Sequence, residues 1–599
     1  MWHGAEANVG SQCALAVLFI AGYTSFAMKK IINDPKTFVQ DTLSGIYYAH
    51  SDEVTFTDGS KKAMVTKNRK KGKVALVTGG GSGHLPLFLG YIGSGMLDGC
   101  SVGEVFASPS VNDMLSVTKA VDNGAGVLYI YGNYGGDKMN FTMSAHQAEF
   151  ESNIKVLSVL GMDDVAVEIP EHRRGIAGIF FVYKCAGAAA EEMRSLDECY
   201  RIAKKTADNL RTMGVSLSAC TLPRVGHPSF EIAEDEMEIG MGIHGEPGVR
   251  RGKIKTASEI TDELLAKILP ELNLKSGDET AVLVNGLGAT PLEEQYIVTK
   301  RIYEILNEKG IKIFHTYVGE HATSMEMAGL SISVLKLDSE LKELLAKPAD
   351  ALMFKQFQLD TKKFYKPVDL TEHERKQEKF VNQKPVEKSS DTVLTAQDFV
   401  RYFDGLKEMC DREKDELVRL DAVAGDGDMG ITMTDGFTSV QKYLSGKTFS
   451  DIGELFYRAG KDLQASAASS MGTLLAFGFM GVGKAFKGKT EIHYQELGAV
   501  LEAFEEALEK LGGAKVGDKT FLDGFDPAVV VLKAAKSDEE AKSLLPKAYE
   551  AAKKGSDNTT TMLAKFGRIA FKGEESRTIL DPGSVFASLM IKTLAEVFG

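Results

Sequence analysis

The first clue to the architecture is the segment Val74-Ala75-Leu76-Val77-Thr78-Gly79-Gly80-Gly81-Ser82-Gly83-His84. Its apolar and β-branched start predicts a short buried strand, and the glycines after it predict a turn. Residues 126–131 and 281–284 repeat the pattern, since each apolar run leads into a glycine-rich loop. Strand candidates alternate with helical patterns, which predicts βαβ units and a largely parallel sheet. Ligands of such sheets gather at the carboxyl ends of strands, so these loops are candidate binding loops.

The composition is typical of a soluble protein with several domains. A length of 599 residues predicts about two to four domains. The net charge of −13 argues against nucleic-acid binding, for which a basic surface is expected. The six cysteines form no Cys-x-x-Cys pair, so neither a zinc site nor a disulfide framework is indicated. This cysteine usage is typical of a reducing compartment, and we expect a cytoplasmic protein with no membrane partner.

Two stretches set the predicted domain boundaries. Residues 1–27 are expected to be an extension before a functional start at Met28. A signal segment is the alternative, although no basic n-region precedes the apolar core, which is short for a membrane span. Residues 361–391 contain eight Lys or Arg and six Asp or Glu, which predicts a solvated linker. We therefore expect one domain over residues 28–360 and another over residues 392–599.

The sequence after the linker has a helical pattern. Thr395 with Asp398 predicts a helix start, and residues 500–511 have helical spacing. Residues 546–554 predict a further helix, with Pro546 in its first turn and Gly555 just past its end. Few β-branched runs interrupt these patterns. An all-α second domain is expected.

The clearest candidate for a metal site is the acidic run over residues 420–430. Its carboxylates, Asp421, Asp426 and Asp428, lie within eight residues and are separated by glycines. Such a segment can turn three oxygen ligands toward one point, which suits Mg²⁺ and the phosphates that Mg²⁺ accompanies. The alternative is a solvated acidic loop, which is common in a chain of this charge.

Three residues in the glycine-rich loops of the first domain are candidates for acid, base or nucleophile. His84 titrates near neutral pH and could transfer protons, but a lone histidine is more often structural. Asp137 could accept a hydroxyl proton or could cap a helix. His244, in a loop with three glycines and a proline, is a possible nucleophile. Residue spacing alone leaves each choice open.

The second domain offers candidates for phosphate contacts. Residues 469–473 (Ser-Ser-Met-Gly-Thr) supply hydroxyls and backbone N–H groups, and Arg568 could hold a phosphate or lie free on the surface. Residues 478–485 nearly match a P-loop. We reject that assignment because Ala485 replaces the Ser or Thr that would meet Mg²⁺, and no strand precedes the segment.

Taken together, the motifs resemble the dihydroxyacetone kinase family in its fused, ATP-dependent form. The resemblance covers residues 28–599. In chain order the motifs are Gly-Gly-Gly-Ser-Gly-His at 79–84, Asn-Tyr-Gly-Gly-Asp-Lys-Met-Asn-Phe at 133–141, Met-Gly-Ile-His-Gly-Glu-Pro-Gly at 241–248, Gly-Asp-Gly-Asp at 425–428, Gly-Asp-Lys-Thr at 517–520 and Asp-Pro-Gly at 581–583. The resemblance implies an α/β K domain of two subdomains that binds the ketose. An all-α L domain follows, a barrel of about eight helices that binds ATP.

The resemblance also implies roles for individual residues. His244 would hold a short ketose as a covalent hemiaminal, Asp137 would act as the base, and His84 would assist through a hydrogen bond. The substrate pocket would be lined by Gly80, Gly81, Ser82 and Gly83. Two Mg²⁺ ions bridging the ATP phosphates would be bound by Asp421, Asp426 and Asp428. The nucleotide would be contacted by Ser469, Ser470, Gly472, Thr473, Arg568, Asp581 and Gly583.

Three positions depart from the family pattern. Gly132 stands where many dihydroxyacetone-specific relatives have Lys, and Leu85 stands where Glu is usual. Both changes remove charge near the substrate loop and are expected to leave space. A C4 ketose such as erythrulose is therefore a candidate substrate beside dihydroxyacetone. Met429 replaces a common His or Cys beside the metal loop.

Alternatives to a ketose kinase are also implied. One is a lyase that splits flavin adenine dinucleotide into cyclic FMN at the same metal loop. Another is a regulatory ketone-binding protein, against which the retention of His244, Asp137 and the acidic triad argues. A kinase would need its two sites to meet, either within one chain or across the homodimer that we expect.

Overall fold

The computed structural model describes residues 29–59, 61–364, 392–467 and 469–599. The chain divides into two compact units, the first within residues 1–369 and the second within residues 370–599. The predicted extension over residues 1–27 lies outside the described residues. So does nearly all of the predicted linker, and the exact domain boundaries stay a prediction.

The first unit is an α/β structure. Its helices are α1 (Phe38–Ala49), α2 (Val111–Val121), α3 (Gly135–Ser152), α4 (Ile179–Glu191), α5 (Leu196–Asp208), α6 (Ala257–Glu271), α7 (Leu292–Glu308) and α8 (Ser339–Ala346). Its strands are β1 (Val54–Phe56), β2 (Ala63–Thr66), β3 (Ala75–Ser82), β4 (Gly93–Ser94), β5 (Gly99–Val105), β6 (Val127–Gly132), β7 (Val156–Gly161), β8 (Leu210–Ser216), β9 (Glu236–Ile239), β10 (Arg250–Lys253), β11 (Glu279–Gly286), β12 (Lys312–Gly319), β13 (Gly329–Leu337), β14 (Ala349–Ala351) and β15 (Phe354–Gln356).

The first sheet has the strand order β1-β2-β5-β3-β6-β7. Strands β5, β3, β6 and β7 run parallel, and β1 and β2 add an antiparallel edge. Side chains alternate between the two faces, as strand geometry requires. Val77 and Tyr129 pack in one cluster with Phe141 of α3, whereas Leu76 and Leu128 pack in another. Both faces are therefore covered by helices, as expected for a parallel sheet.

The predicted turn at Gly79 is wrong, because β3 continues to Ser82. A Cβ on Gly79 would lie 2.5 Å from the carbonyl oxygen of Ser101, and a Cβ on Gly81 would lie 2.6 Å from Cα of Phe106. These glycines allow neighbouring backbone to approach the strand closely. The same composition that predicts a turn therefore serves close packing inside a sheet.

The second sheet has the order β10-β9-β8-β13-β11-β12 and differs from the prediction. Among its described strand pairs, β11–β12 alone is parallel. The cause is β13, which pairs antiparallel with β8 on one side and β11 on the other. Leu283 and Leu335 of this sheet share a core cluster with Leu76 and Leu128 of the first sheet. The first unit thus consists of two α/β subdomains with a common core, which confirms the predicted fold.

The second unit is helical. Its helices are α9 (Ala396–Ala424), α10 (Met429–Leu444), α11 (Ile452–Ser466), α12 (Ser470–Ala485), α13 (Leu497–Gly512), α14 (Phe521–Lys533), α15 (Asp538–Asn558) and α16 (Pro582–Phe598). A two-stranded ribbon of β16 (Val393–Thr395) and β17 (Glu491–His493) and three 3₁₀ segments (Tyr494–Glu496, Thr559–Thr561 and Arg568–Thr578) complete the described elements.

These eight helices, all within residues 392–467 and 469–599, close into a ring. Each helix contacts the next in the chain, and α16 contacts α9. The core inside the ring is rich in aromatic side chains, including Phe403, Phe437, Phe479 and Phe504. Buried aromatic surface of this extent is a large source of stability. The predicted helical L domain is confirmed.

Helix ends in this unit were predicted with mixed success. The start at Thr395 is confirmed by a capping box with Asp398, in which each side chain meets the backbone of the other residue. The predicted end at Gly555 is wrong, since α15 runs on to Asn558. A Cβ on Gly555 would collide with the carbonyl oxygen of Asp523, so this glycine serves the packing of α15 on α14. No helix among the described residues is long and apolar enough to cross a membrane.

Candidate active site

His244 lies in the loop after β9, where one carboxylate holds both its ring and its backbone. Nδ1 of His244 is 2.9 Å from Oε1 of Glu246, and the backbone N–H of His244 donates to Oε2 at 3.0 Å. Burial alone would raise the pKa of Glu246, but the hydrogen bond with His244 lowers it to about 2. An ionised carboxylate accepts hydrogen bonds only, so in the neutral ring Nδ1 carries the proton. Nε2 then keeps its lone pair and can act as a nucleophile.

Aromatic rings surround His244. The ring centroids of Tyr134, His84 and Phe106 lie 4.7, 4.9 and 5.3 Å from that of His244, and all three contacts are edge-on. Such contacts restrict the plane of the imidazole. Tyr134, Phe106 and Glu246 were not predicted as site residues, although Glu246 stands two positions after His244 in the motif.

His84 lies next to His244 and is buried. Its Nδ1 is 2.8 Å from the carbonyl oxygen of Thr323, which can only accept a hydrogen bond, so Nδ1 donates. Burial and the neighbouring His244 lower the pKa of His84 to about 3, so the ring is neutral near pH 7. Nε2 is therefore a lone-pair acceptor. Within the described residues this buried atom has no hydrogen-bond partner.

Asp137 is also buried, and it is not the helix cap. The N-cap of α3 is Tyr134, and Asp137 lies three positions later, in the first turn. Its Oδ1 is buried without a hydrogen-bond partner among the residues that the structure describes. Burial raises the pKa of Asp137, whereas the hydroxyl of Ser108 and the charge of His244 oppose the rise. The carboxylate is thus a stronger base than an exposed aspartate.

The segment 323–325 joins the two subdomains at this site. The backbone N–H of Thr323 donates to the carbonyl of His84, and that of Met325 donates to the carbonyl of Gly83. The hydroxyl of Ser324 donates to the carbonyl of Ile243 at 2.5 Å. Residues next to both histidines are therefore held by one short segment. The segment 323–325 carries no recognisable motif, because its contacts depend largely on backbone groups.

The predicted pocket-lining residues end β3 beside His84. Gly80, Gly81 and Ser82 are the last residues of the strand, and Gly83, at φ +102°, makes the bend to His84. Ser82 is anchored by a hydrogen bond of 2.7 Å from its hydroxyl to the carbonyl of Gly103. Gly81 to His84 also line an apolar cavity of about 180 Å³ against α1, whose lining includes neither His244 nor Asp137.

The space expected at Gly132 is filled by a neighbouring side chain, whereas Leu85 lines a cavity. A Cβ on Gly132 would lie 2.9 Å from the ring of Tyr134, so that ring takes the room that a side chain would need. Leu85 lines the apolar cavity against α1. The two departures remove charge from the neighbourhood of the substrate loop, but the expected enlargement of the pocket is not what the structure shows at Gly132.

The acidic triad of the second unit lies where α9 ends and α10 begins. Oxygen atoms of Asp421, Asp426 and Asp428 lie within 4.8 Å of one another. Asp421 is in the last turn of α9, and its Oδ2 accepts the backbone N–H groups of Asp428 and Met429 at 3.1 and 3.2 Å. This arrangement matches the all-oxygen donor set of a hard divalent cation such as Mg²⁺. Met429 turns its buried side chain into the helical core.

Arg568 pairs with the triad. Its guanidinium contacts the carboxylate of Asp426, and both side chains are about half exposed, at 62% and 46%. The hydrogen bond from Arg568 lowers the pKa of Asp426. Arg568 thus lies at the edge of the candidate cation site, within reach of phosphates that a cation would hold.

The remaining nucleotide candidates lie at helix N-termini. Ser469 is the N-cap of α12, and its hydroxyl accepts the backbone N–H of Gly472 at 3.1 Å. Ser470 and Thr473 lie in the first turn of the same helix. Asp581 is the N-cap of α16, where its buried carboxylate accepts the N–H of Ser584 at 2.7 Å. Free N–H groups at such ends attract phosphates.

Gly583 connects these helix starts. A Cβ there would lie 2.8 Å from Cε of Met471 in α12 and 3.4 Å from the backbone nitrogen of Phe521 in α14. The N-termini of α12, α14 and α16 therefore converge around Gly583. Burial raises the pKa of Asp581 to about 7, and its hydrogen bond with the N–H of Ser584 caps α16 from inside the protein.

Comparison with known proteins places this arrangement in a family. A model described as the Dak1 domain matches residues 44–353, and a model described as the DAK2 domain matches residues 423–596. The chain belongs to the dihydroxyacetone kinase family. The predicted resemblance, with K and L domains fused in one chain, is confirmed.

Full-length relatives have related enzymatic names. L-erythrulose 1-kinase of Mycolicibacterium smegmatis is 33% identical over 95% of this chain and 99% of its own length. Triokinase/FMN cyclase of Rattus norvegicus is 32% identical, with 95% of this chain and 98% of its own covered. The crystal structure of the dihydroxyacetone kinase from C. freundii in complex with AMP-PNP and Mg²⁺ is 26% identical, with a TM-score of 0.59 over 95% of this chain and 100% of that chain.

We expect the triad of this dihydroxyacetone kinase family member to bind divalent cations. Asp428→Asn should weaken binding by about tenfold or more, because it removes one of three anionic oxygen donors. Mn²⁺, which accepts the same donors, can be titrated and followed by electron paramagnetic resonance. Asp411→Asn, which changes an exposed aspartate on the same α9, is the control. Equal affinities for both variants would contradict the cation site.

Proposed function

We propose that this protein is an ATP-dependent kinase of short ketoses, with dihydroxyacetone or a C4 ketose such as erythrulose as substrate. The observation that carries the proposal is the environment of His244. Two buried acceptors without partners among the described residues, Nε2 of His84 and Oδ1 of Asp137, lie around a nucleophilic imidazole. Buried acceptors of this kind need hydrogen-bond donors, which a bound ligand can supply. A ketone with hydroxyl groups on both neighbouring carbons supplies two donors beside an electrophilic carbonyl.

Capture of the ketose would be covalent. Nε2 of His244 bonds to the carbonyl carbon, the π electrons of the carbonyl move to its oxygen, and that oxygen takes up a proton. Loss of the Nδ1 proton balances the addition and leaves a neutral hemiaminal. The carboxylate of Glu246 stabilises positive charge on the ring meanwhile. A plain polyol has no carbonyl and cannot be captured, so the step selects ketoses and positions them.

Phosphoryl transfer would follow at the hydroxyl next to Asp137. Asp137 takes the hydroxyl proton as the oxygen bonds to the γ-phosphorus of ATP and the bond to ADP breaks. In the L domain, Ser469, Ser470, Gly472, Thr473, Arg568 and Gly583 would contact the nucleotide, with Asp581 ordering α16 behind them. Asp421, Asp426 and Asp428 would hold two Mg²⁺ ions, which neutralise the charge of the phosphates.

The named activities of the relatives support this proposal. Kinases of erythrulose and of trioses align with nearly the whole chain, and the C. freundii enzyme was crystallised with an ATP analogue and Mg²⁺. Transfer further requires that the ketose on the K domain and ATP on the L domain meet, within one chain or across a homodimer. Mixing His244→Ala with Asp428→Asn protein distinguishes these routes, because activity returns only if transfer crosses chains.

A cyclase activity is the second candidate. The name of the rat relative includes FMN cyclase, and such chemistry would need the acidic triad but not His244. Supplying flavin adenine dinucleotide with Mn²⁺ and no ketose tests it. We expect ketose phosphorylation to depend on both His244 and the triad, whereas cyclase activity would survive His244→Ala.

The kinase proposal is tested first at His244. Wild-type protein should turn over ATP with dihydroxyacetone or erythrulose and should gain the mass of the ketose in native mass spectrometry. His244→Ala should lose both, because the variant lacks the nitrogen that attacks the carbonyl. His172→Ala, at an exposed histidine of the same domain, should retain both. A ketose adduct that persists in His244→Ala would refute the assignment.

Asp137 is tested by separating capture from transfer. Asp137→Asn should form the adduct but lose about 10²–10⁴-fold in kcat, the usual contribution of a general base. In the wild type, kcat should fall with decreasing pH as Asp137 becomes protonated. Because burial raises the pKa of this carboxyl, the fall should occur at higher pH than for an exposed aspartate. A kcat of Asp137→Asn equal to that of the wild type would exclude the role.

A further inference from the structure

Behind His244, a line of charged groups runs from Glu246 to the end of β7. Glu246 holds His244 directly, and both Oε2 of Glu246 and Nη1 of Arg174 lie within 3 Å of the point that a Cβ on Gly242 would occupy. Arg174 in turn donates from Nε to Oδ2 of Asp164 at 2.8 Å. Asp164 is 1% exposed, and its other oxygen accepts the backbone N–H of Ala166 at 3.0 Å. The array is therefore anchored in the protein interior at the end opposite the nucleophile.

Arg174 also reaches the second sheet. Its Nη2 donates to the carbonyl of Gly240, the residue after β9, at 2.8 Å. Asp164 follows β7 of the first sheet, and Gly240 begins the loop that carries His244. The guanidinium of Arg174 thus fixes the distance between the end of β7, at the edge of the first sheet, and the start of the loop that carries His244. The side chain of Arg174 is 13% exposed, so solvent weakens these contacts little.

Gly242 shows how closely the array is packed. A Cβ at this position would overlap Oε2 of Glu246 and would lie 2.6 Å from Nη1 of Arg174. The φ of Gly242 is not in the left-handed region, so backbone conformation does not require glycine here. What requires glycine is the volume occupied by the carboxylate and the guanidinium. Any side chain at position 242 would push Glu246 away from His244.

We infer that Arg174, anchored by Asp164, is a positioning residue that keeps Glu246 ionised and aligned, and so keeps His244 in the tautomer with a proton on Nδ1 and a free Nε2. The inference rests on the proposed capture of a ketose by His244. Arg174 touches neither substrate nor nucleotide. It acts through Glu246, whose two oxygens hold the ring and the backbone of the same histidine.

The physical reason is electrostatic as well as geometric. Burial opposes the ionisation of Glu246, the hydrogen bond with His244 favours it most, and the positive charge of Arg174 adds to that effect. A carboxylate can accept from Nδ1–H and from the backbone N–H simultaneously. Without the charge of Arg174, the protonated form of Glu246 becomes more populated. A protonated His244 has no lone pair on Nε2 and cannot attack. The groups that face His244 are Glu246, His84, Tyr134 and Asp137, and none of them supplies a fixed positive charge at neutral pH.

Three variants test the inference in the full-length protein. Arg174→Met removes the charge, Arg174→Lys keeps it, and Gly242→Ala displaces Glu246 while removing no charged group. We expect Arg174→Met and Gly242→Ala to weaken adduct formation with dihydroxyacetone by about tenfold or more, as is usual when a group that orients a functional side chain is lost. Arg174→Lys should recover part of the loss. The KM for ATP should stay unchanged.

The pH profile separates positioning from general stability. In Arg174→Met, adduct formation should begin at higher pH than in the wild type, because loss of a nearby cation favours the protonated form of Glu246, which no longer fixes the proton of His244 on Nδ1. A purely structural arginine would not shift this profile. Arg173→Met is the matched control, since the neighbouring Arg173 is buried and pairs with Glu271 at 2.8 and 3.1 Å, away from Glu246. Gly45→Ala, with open space at its Cβ in α1, is the control for the glycine change.

Two outcomes would overturn the inference. In one, Arg174→Met and Gly242→Ala form the adduct with wild-type affinity and an unchanged pH profile. In the other, Arg173→Met reproduces both effects. If the wild type forms no adduct at all, the proposed covalent capture fails instead, and the two failures are thereby distinguished. Thermal unfolding of each variant, followed by circular dichroism, identifies any that do not fold. If Arg174→Met does not fold, the adduct affinity and pH profile of Arg174→Lys test the inference.

Discussion

The substrate site depends on the backbone pairing of residues 323–325 with Gly83 and His84. This pairing attaches the connection between β12 and β13 of the second sheet to the residues that follow β3 in the first sheet. It also orients the carbonyl of Thr323 toward Nδ1 of His84, and Ser324 holds the residue before His244. Two histidines from different subdomains therefore face each other because one short segment bonds to both of their loops. Without it, neither the neutral His84 acceptor nor the aromatic surroundings of His244 would be defined.

The two domains prepare their ligand-binding groups by different physical means. In the K domain, burial produces reactive groups, since it keeps His84 neutral and makes Asp137 a stronger base. In the L domain, the groups of the candidate cation site stay near the surface. The carboxylates of the triad and the guanidinium of Arg568 are partly exposed. Covalent chemistry suits a dry, ordered site, whereas exchange of a highly charged nucleotide suits an open one.

Several glycines have a different structural role from the one that the sequence predicted. The run after Thr78 predicted a turn, but it forms the end of a buried strand against which Ser101 and Phe106 pack. Gly555 predicted a helix end but lies inside α15, where it contacts α14. Local propensity describes what a residue permits, and packing decides which of the permitted conformations is used. The same holds for Gly132, whose missing side chain makes room for Tyr134 rather than for a larger substrate.

From the sequence alone, the order of α/β and helical domains could be predicted, and the acidic triad and the residues His84, Asp137 and His244 could be named as candidates, because apolar periodicity and the family's motifs are local properties of the chain. The antiparallel β13, the segment 323–325 and the array of Asp164, Arg174 and Glu246 could not be. Each of these joins residues that are far apart in the chain, through backbone carbonyls, ring contacts or charge pairs that leave no periodic pattern. The tertiary structure decided them, since burial, tautomer and charge depend on which distant groups meet in space.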